Sequence, residues 1–180
     1  MRLLLLASGS GTLAQAIIDS EFEILAVVSD NPNAEVLNRA AKANIPSKVI
    51  ELKDSRPMWN QELFDYSKSL DPDLVVSVGF MKILEPRFVN YFKVINSHPA
   101  LLPDFPGAHA VADALKAGVK NTGCTVHWVD AGVDTGPIIA QAQVSIEPND
   151  DTQTLHERIK IAERKLIIET LRELRDGALQ

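Results

Sequence analysis

Arg2-Leu3-Leu4-Leu5-Leu6-Ala7-Ser8-Gly9-Ser10-Gly11-Thr12, near the start of the chain, carries the strongest signal of fold class. An unbroken apolar run of this length reads as a strand covered on both faces, as in a parallel sheet. It is too short for a membrane span or a signal-peptide core, so a buried first strand is expected. Glycines follow at once and permit a tight turn, and a helical pattern follows the glycines. Strand, glycine turn and helix make the first half of a βαβ unit.

The alternation continues. Apolar runs predict strands at 23–29, 48–51, 74–78 and 94–96, separated by helices at 13–19, 34–43, 58–70 and near 87–91. Such an order implies right-handed crossovers and an α/β fold with a doubly wound, mostly parallel sheet. After residue 108 the pattern changes. A helix at 109–117 precedes longer strands at 124–129 and 138–144, read as antiparallel C-terminal strands, and a long final helix spans about 151–175. Thr154-Leu155-His156-Glu157 has capping-box spacing, and Leu155, Ile159, Ala162, Leu166 and Leu174 form a core-facing stripe. With no repeat, low-complexity segment or linker, residues 1–180 are expected to form a single domain.

Composition narrows the class. The 180 residues are 46% hydrophobic and 23% charged, enough for one well-buried core. A net charge of -6 without any Lys/Arg run predicts no nucleic-acid partner and no membrane partner. A small anionic ligand remains compatible, because it needs only local donors. The single cysteine, Cys124, excludes an internal disulfide and suits a reducing compartment, so a cytoplasmic protein is expected.

Three segments carry chemistry. Gly9-Ser10-Gly11-Thr12 opens a helix, where free backbone amides attract an anion. The third glycine of a dinucleotide fingerprint is missing, since Gln15 and Ala16 stand there; a tight turn and a phosphate cradle both stay open. Gly79-Phe80-Met81-Lys82-Ile83-Leu84 could line a slot for a flat ring or simply be core. Val94-Ile95-Asn96-Ser97-His98-Pro99 runs an apolar strand into an amide, a hydroxyl and an imidazole. Side chains alternate along a strand, so Asn96 and His98 share one face and Ser97 points away. A proline-stiffened loop at 99–107 follows, and 130–137 places two aspartates and two glycines in one turn. Ligands of open α/β sheets bind outside the carboxyl ends of the strands, where all three segments are predicted to lie. Together they describe an enzyme handling a phosphorylated substrate and a second, flatter molecule.

These residues carry a resemblance. The chain resembles the phosphoribosylglycinamide formyltransferases, the folate-dependent transformylases of purine synthesis, over nearly its whole length. The similarity rests on 7–12, 79–84, Asn96-Ser97-His98-Pro99-Ala100-Leu101-Leu102-Pro103, Pro106-Gly107, Gly123-Cys124-Thr125-Val126-His127-Trp128-Val129 and Val133-Asp134-Thr135-Gly136-Pro137. It implies a Rossmann-like formyltransferase fold and formyl transfer from 10-formyltetrahydrofolate to the primary amine of glycinamide ribonucleotide. It also implies a catalytic set of Asn96, His98 and Asp134, in which Asp134 favours the charged His98 imidazolium. Gly11, Thr12 and Leu13 match the ribonucleotide phosphate site; Leu13 departs from the asparagine common there, leaving backbone amides as donors. Lys160 and Glu163 match a ribonucleotide-binding segment of the last helix. Arg56, Met81, Lys82, Ile83, Leu84, Asn96, Asp130, Gly132 and Asp134 match the folate side. Small-molecule substrates are the implied partners of a monomer or homodimer, and no metal is expected. His109 and His127 receive no role beyond local support.

Related readings are a methionyl-tRNA formyltransferase, a formyltetrahydrofolate hydrolase, and a non-catalytic folate- or nucleotide-binding protein. The first carries a further C-terminal domain, whereas this chain ends about 45 residues after Asp134 and is acidic. The second carries a preceding regulatory domain, whereas the first strand here begins at Arg2. An intact Asn96/His98/Asp134 set disfavours the third.

Overall fold

The computed structural model describes residues 1–178. They divide into two compact units, Met1–Ile95 and a second that begins at Asn96. The first unit holds β1 (Arg2–Leu6), α1 (Thr12–Ile18), β2 (Glu23–Ser29), α2 (Glu35–Lys42), β3 (Ser47–Val49), α3 (Arg56–Leu70), β4 (Leu74–Ser77) and α4 (Pro86–Tyr91). Strand β5 (Val94–His98) gives its first two residues to this unit and its last three to the second. The second continues with α5 (Ala110–Ala117), β6 (Asn121–Trp128), β7 (Ile138–Ser145) and α6 (Thr152–Arg175).

The first unit is built on parallel strands in the order β3-β2-β1-β4. The expected first strand lies inside, with Leu3, Leu4, Leu5, Leu6 and Ala7 fully buried. It pairs with β2 on one side and β4 on the other, Leu3 opposite Leu74 and Leu6 opposite Ser77. Burial on both faces and both edges explains why this strand shows no polar alternation. Gly11 turns the chain into α1 at φ 67°, and a Cβ there would lie 2.5 Å from the side chain of Val36. Only glycine meets both conditions. Helix α3 begins two residues before the expected 58, because Ser55 caps it by accepting from the Met58 N–H and Pro57 is tolerated in the first turn.

In the second unit β6 lies between β5 and β7 and pairs antiparallel with β7, from Asn121 opposite Ser145 to Val126 opposite Ala140. The expected α/β class with antiparallel C-terminal strands and a long final helix is therefore present. Residues 122–127 of β6 are buried, whereas β7 alternates as an edge strand does. Helix α6 packs on both strands and buries Leu155, Ile159, Leu166, Ile167 and Leu171. Its apolar stripe differs from the expected one: Ala162 and Leu174 are only half-buried, while Glu163 is buried.

The α6 cap also differs. Asp151, not Thr154, is the N-cap: its carboxylate accepts from the Thr154 N–H at 2.8 Å, and Thr154 Oγ1 accepts from the Asp151 N–H at 3.0 Å. An ionised Asp serves the orphan donors and the positive helix end together, so it outcompetes the threonine one turn later. Asp151→Ala is expected to lower stability by about 1 kcal/mol in urea unfolding, and Glu157→Ala by under about 0.5 kcal/mol. Equal losses would restore the later cap.

Candidate active site

The end of β5 sorts its side chains by alternation. Asn96 and His98 reach one set of partners, and Ser97 reaches another. Asn96 Nδ2 lies 3.2 Å from His127 Nε2, and His127 Nδ1 lies 2.9 Å from the Trp128 carbonyl. A carbonyl only accepts, so Nδ1 carries the proton of neutral His127 and Nε2 accepts from the Asn96 amide. One Asn96 N–H is thereby spent, which fixes the side chain and leaves the second N–H as a placed donor.

His98 is held at both ring nitrogens. Nε2 donates to the Phe105 carbonyl at 2.8 Å, and Nδ1 lies 3.3 Å from Asp134 Oδ2. The same Asp134 oxygen accepts from the Gly107 N–H at 2.8 Å, while Oδ1 lies 3.5 Å from His127 Nε2. One carboxylate therefore addresses both imidazoles and ties down the loop that follows β5. Burial pushes the Asp134 carboxyl up, but the hydrogen bond from the Gly107 N–H and the neighbouring His127 and His98 rings outweigh it. The net direction is below the ordinary carboxylate range, so Asp134 is ionised at neutral pH.

Loop geometry delivers these groups. Phe105 and Asp134 both sit at φ 53°, the left-handed region, which Asp tolerates and Phe rarely adopts. Such backbone strain persists where the surroundings over-determine it, and here both residues grip His98. Thr125 Oγ1 donates to the Ala100 carbonyl and accepts from the Leu102 N–H, while Gln141 Nε2 donates to the Leu102 carbonyl. These bonds staple the 99–107 loop to β6 and β7. The second loop is shaped by Asp130, whose Oδ1 accepts from the Gly132 N–H and Thr135 Oγ1. Gly136 presses on the chain so closely that a Cβ would lie 1.8 Å from the Trp128 carbonyl oxygen.

Ser97, on the opposite face, donates to Glu163 Oε1 at 2.7 Å, and both residues are buried. Burial, the largest effect, drives the Glu163 carboxyl above its usual range, against the lowering effects of Ser97, Lys160 and Arg164. Cys124 is buried; its thiol is pushed up to about 12 by that burial and then by the Glu163 charge, so it is an inert packing residue at neutral pH.

The remaining expected site residues fall as follows. Gly11 caps α1, and Thr12 and Leu13 occupy its first turn, where backbone N–H groups have no partner within the helix. Arg56 donates to the Ile83 carbonyl and to Asn60 Oδ1, with its guanidinium over the Trp59 ring, so it joins the 81–84 segment. The Met81 N–H donates to Ser8 Oγ at 2.8 Å. Met81 and Ile83 are exposed, Leu84 is buried, and Lys82 forms an ion pair with Asp30 at 3.0 Å. Asp130, Gly132 and Asp134 share one loop. Lys160 pairs with Glu157 rather than with Glu163.

Sequence reasoning missed His127, which links Asn96 to Asp134. A signal was available: Thr125 and His127 alternate with Cys124 and Val126 in an otherwise apolar strand, so two polar side chains share one buried face. Among the described residues no group of three or more His, Cys, Asp or Glu side chains could hold a metal ion, and no helix is long and apolar enough to cross a membrane.

The family profile described as formyl transferase matches residues 1–171. The phosphoribosylglycinamide formyltransferase of Mycobacterium tuberculosis is 47% identical over 176 residues, covering 93% of this chain and 81% of that protein. A segment of the trifunctional purine biosynthetic protein adenosine-3 of Drosophila melanogaster is 44% identical, covering 90% of this chain and 13% of that protein. The crystal structure of glycinamide ribonucleotide transformylase 1 from Symbiobacterium toebii superposes with a TM-score of 0.95 at 36% identity, covering 98% of this chain and 88% of that one.

In neutral His127 the proton is expected on Nδ1, read from nitrogen chemical shifts of the imidazole at a pH above its titration. A proton on Nε2 would remove His127 as the acceptor that orients Asn96.

Proposed function

The chain belongs to the formyl transferase family, and on that premise we propose that it transfers a formyl group to the primary amine of glycinamide ribonucleotide in purine biosynthesis. The formyl group is supplied by 10-formyltetrahydrofolate. The observation that carries the reading is the linked set Asn96–His127–Asp134–His98, which combines a fixed amide donor with a paired acid/base.

Attack of an amine on a formyl carbon places negative charge on the formyl oxygen. The second Asn96 N–H is the donor for that charge, and such donors are typically worth roughly 3 kcal/mol of barrier. His98, charged opposite Asp134, stabilises the same oxygen and supplies a proton to the departing nitrogen. Its Nε2 proton rests on the Phe105 carbonyl, so transfer requires that carbonyl to be exchanged for substrate. Asp134 faces that imidazolium and orders a water that carries the proton lost by the attacking amine back to His98, so that one proton passes from the amine to the folate nitrogen as its bond to the formyl carbon breaks.

The ribonucleotide phosphate is assigned to the backbone amides at Gly11, Thr12 and Leu13, a site that does not depend on the side chain of Leu13. Lys160 and Glu163 are assigned to the rest of that substrate, Glu163 to its ribose hydroxyls or amine. The folate is assigned to Arg56, Met81, Lys82, Ile83, Leu84, Asn96, Asp130, Gly132 and Asp134. Exposed Met81 and Ile83 beside the Arg56 guanidinium suit a molecule with a flat ring at one end and carboxylates at the other. The Lys82 ammonium is engaged by Asp30, so Lys82 serves through its backbone. The family match crosses both units, which supports reading 1–180 as one formyltransferase domain.

The test supplies 10-formyltetrahydrofolate with glycinamide ribonucleotide, with methionine-charged tRNA, or with water alone. Formylation of the ribonucleotide is expected; transfer only to the tRNA, or folate release without acceptor, would overturn the reading. In the same assay Asn96→Ala is expected to lower kcat by about 10²–10³. His98→Ala is expected to abolish turnover while ribonucleotide binding stays within a few-fold, because His98 acts on the transition state. Turnover at the wild-type rate in His98→Ala would remove it from the mechanism.

A further inference from the structure

Ser97 sits between the two residues of the Asn-x-His pair yet makes no contact with their partners. Strand alternation turns its hydroxyl to the opposite face, where it donates to Glu163 Oε1 at 2.7 Å. Both side chains are buried, Ser97 at 7% and Glu163 at 6% exposure, so this bond is made out of water. A buried carboxylate without a donor carries a desolvation cost far above the worth of one surface contact. Ser97 takes one oxygen of the carboxylate, Oε1.

We propose that Ser97 is a positioning residue for the ribonucleotide site, holding Glu163 in the orientation in which it meets substrate. The proposal rests on the reading of Glu163 as a ribonucleotide ligand. Consecutive residues of β5 then serve the two reactants separately: Asn96 and His98 act on the formyl group, and Ser97 acts through Glu163 on the acceptor.

The surroundings of Glu163 isolate the contribution of Ser97. From its own helix Lys160 and Arg164 favour the ionised form. Strand β6 offers the Cys124 thiol, which stays neutral, and β7 (Ile138–Ser145) carries no titratable residue. On α5 the charged residues Asp113 and Lys116 are exposed. Ser97 is therefore the uncharged donor that holds down a carboxyl which burial drives upward. Removing its hydroxyl raises the Glu163 carboxyl further, so less of it is ionised at a given acidic pH. Affinity that depends on the carboxylate is then lost at a higher pH than in the wild type.

The experiment measures kcat and both KM values against pH for the wild type, Ser97→Ala, Ser97→Thr and Glu163→Gln. Ser97→Ala is expected to raise the KM for glycinamide ribonucleotide about tenfold, since hydrogen bonds to charged groups are among the strong ones. The acid limb of that KM profile moves to higher pH, while kcat and the folate KM stay within about twofold. Ser97→Thr, which keeps the hydroxyl, restores the profile. A ribonucleotide KM and acid limb unchanged in Ser97→Ala, with Glu163→Gln impaired, would overturn the Ser97 proposal alone. An unchanged KM in Glu163→Gln would overturn the underlying reading of Glu163. A folded Ser97→Thr that behaves like Ser97→Ala would assign Ser97 to packing.

Discussion

The Asp134 carboxylate is the interaction on which the site depends. One oxygen accepts from Gly107 and faces His98, and the other faces His127. A half-buried charge is costly unless polar groups surround it, and here they come from β5, from the loop behind it and from β6. The carboxylate thus selects the arrangement in which those three segments meet. Hydrogen bonds to an ionised carboxylate hold geometry more tightly than neutral ones. The left-handed turn at Asp134 and the close approach of Gly136 to Trp128 exist to deliver that one side chain.

Around it the strand period divides the labour. Odd and even positions of β5 and β6 face opposite ways, so Asn96, His98, Thr125 and His127 form the polar network around Asp134 and the 99–107 loop. Ser97 and Cys124 instead face the helix that carries Glu163. Thr125 is as much a part of the design as His98, because its hydroxyl holds the backbone whose Phe105 carbonyl meets the imidazole. The strained backbone at Phe105 and Asp134 lies against His98, where the surrounding hydrogen bonds over-determine it.

Much of this was legible in the sequence, for physical reasons. Arg2–Leu6 reads as a buried parallel strand because four leucines leave no polar face, and the structure places it between two parallel neighbours. The same-face relation of Asn96 and His98 follows from the pleat alone. What stayed hidden needed a partner strand or a helix rotation. His127 acquires its place only once β6 is laid beside β5, and its own sequence neighbours are apolar. Glu163 lies next to the apolar stripe of α6, and periodicity could not show that the helix is rotated enough to bury it. The sequence leaves the α6 cap open because Asp151 and Thr154 are both good N-caps one turn apart, and only the hydrogen bonds distinguish them. The contact of Phe105 with His98 is a backbone carbonyl, on which residue identity has no bearing.

The most direct measurement is steady-state and single-turnover formyl transfer by Asp134→Asn, which keeps the size of the side chain and removes its charge. If Asp134 organises the site, kcat falls by about 10²–10⁴, in the range of lost acid–base catalysis, while ribonucleotide affinity stays close to wild type. Wild-type kcat in a folded Asp134→Asn protein would contradict the account, because the neutral amide cannot favour an imidazolium.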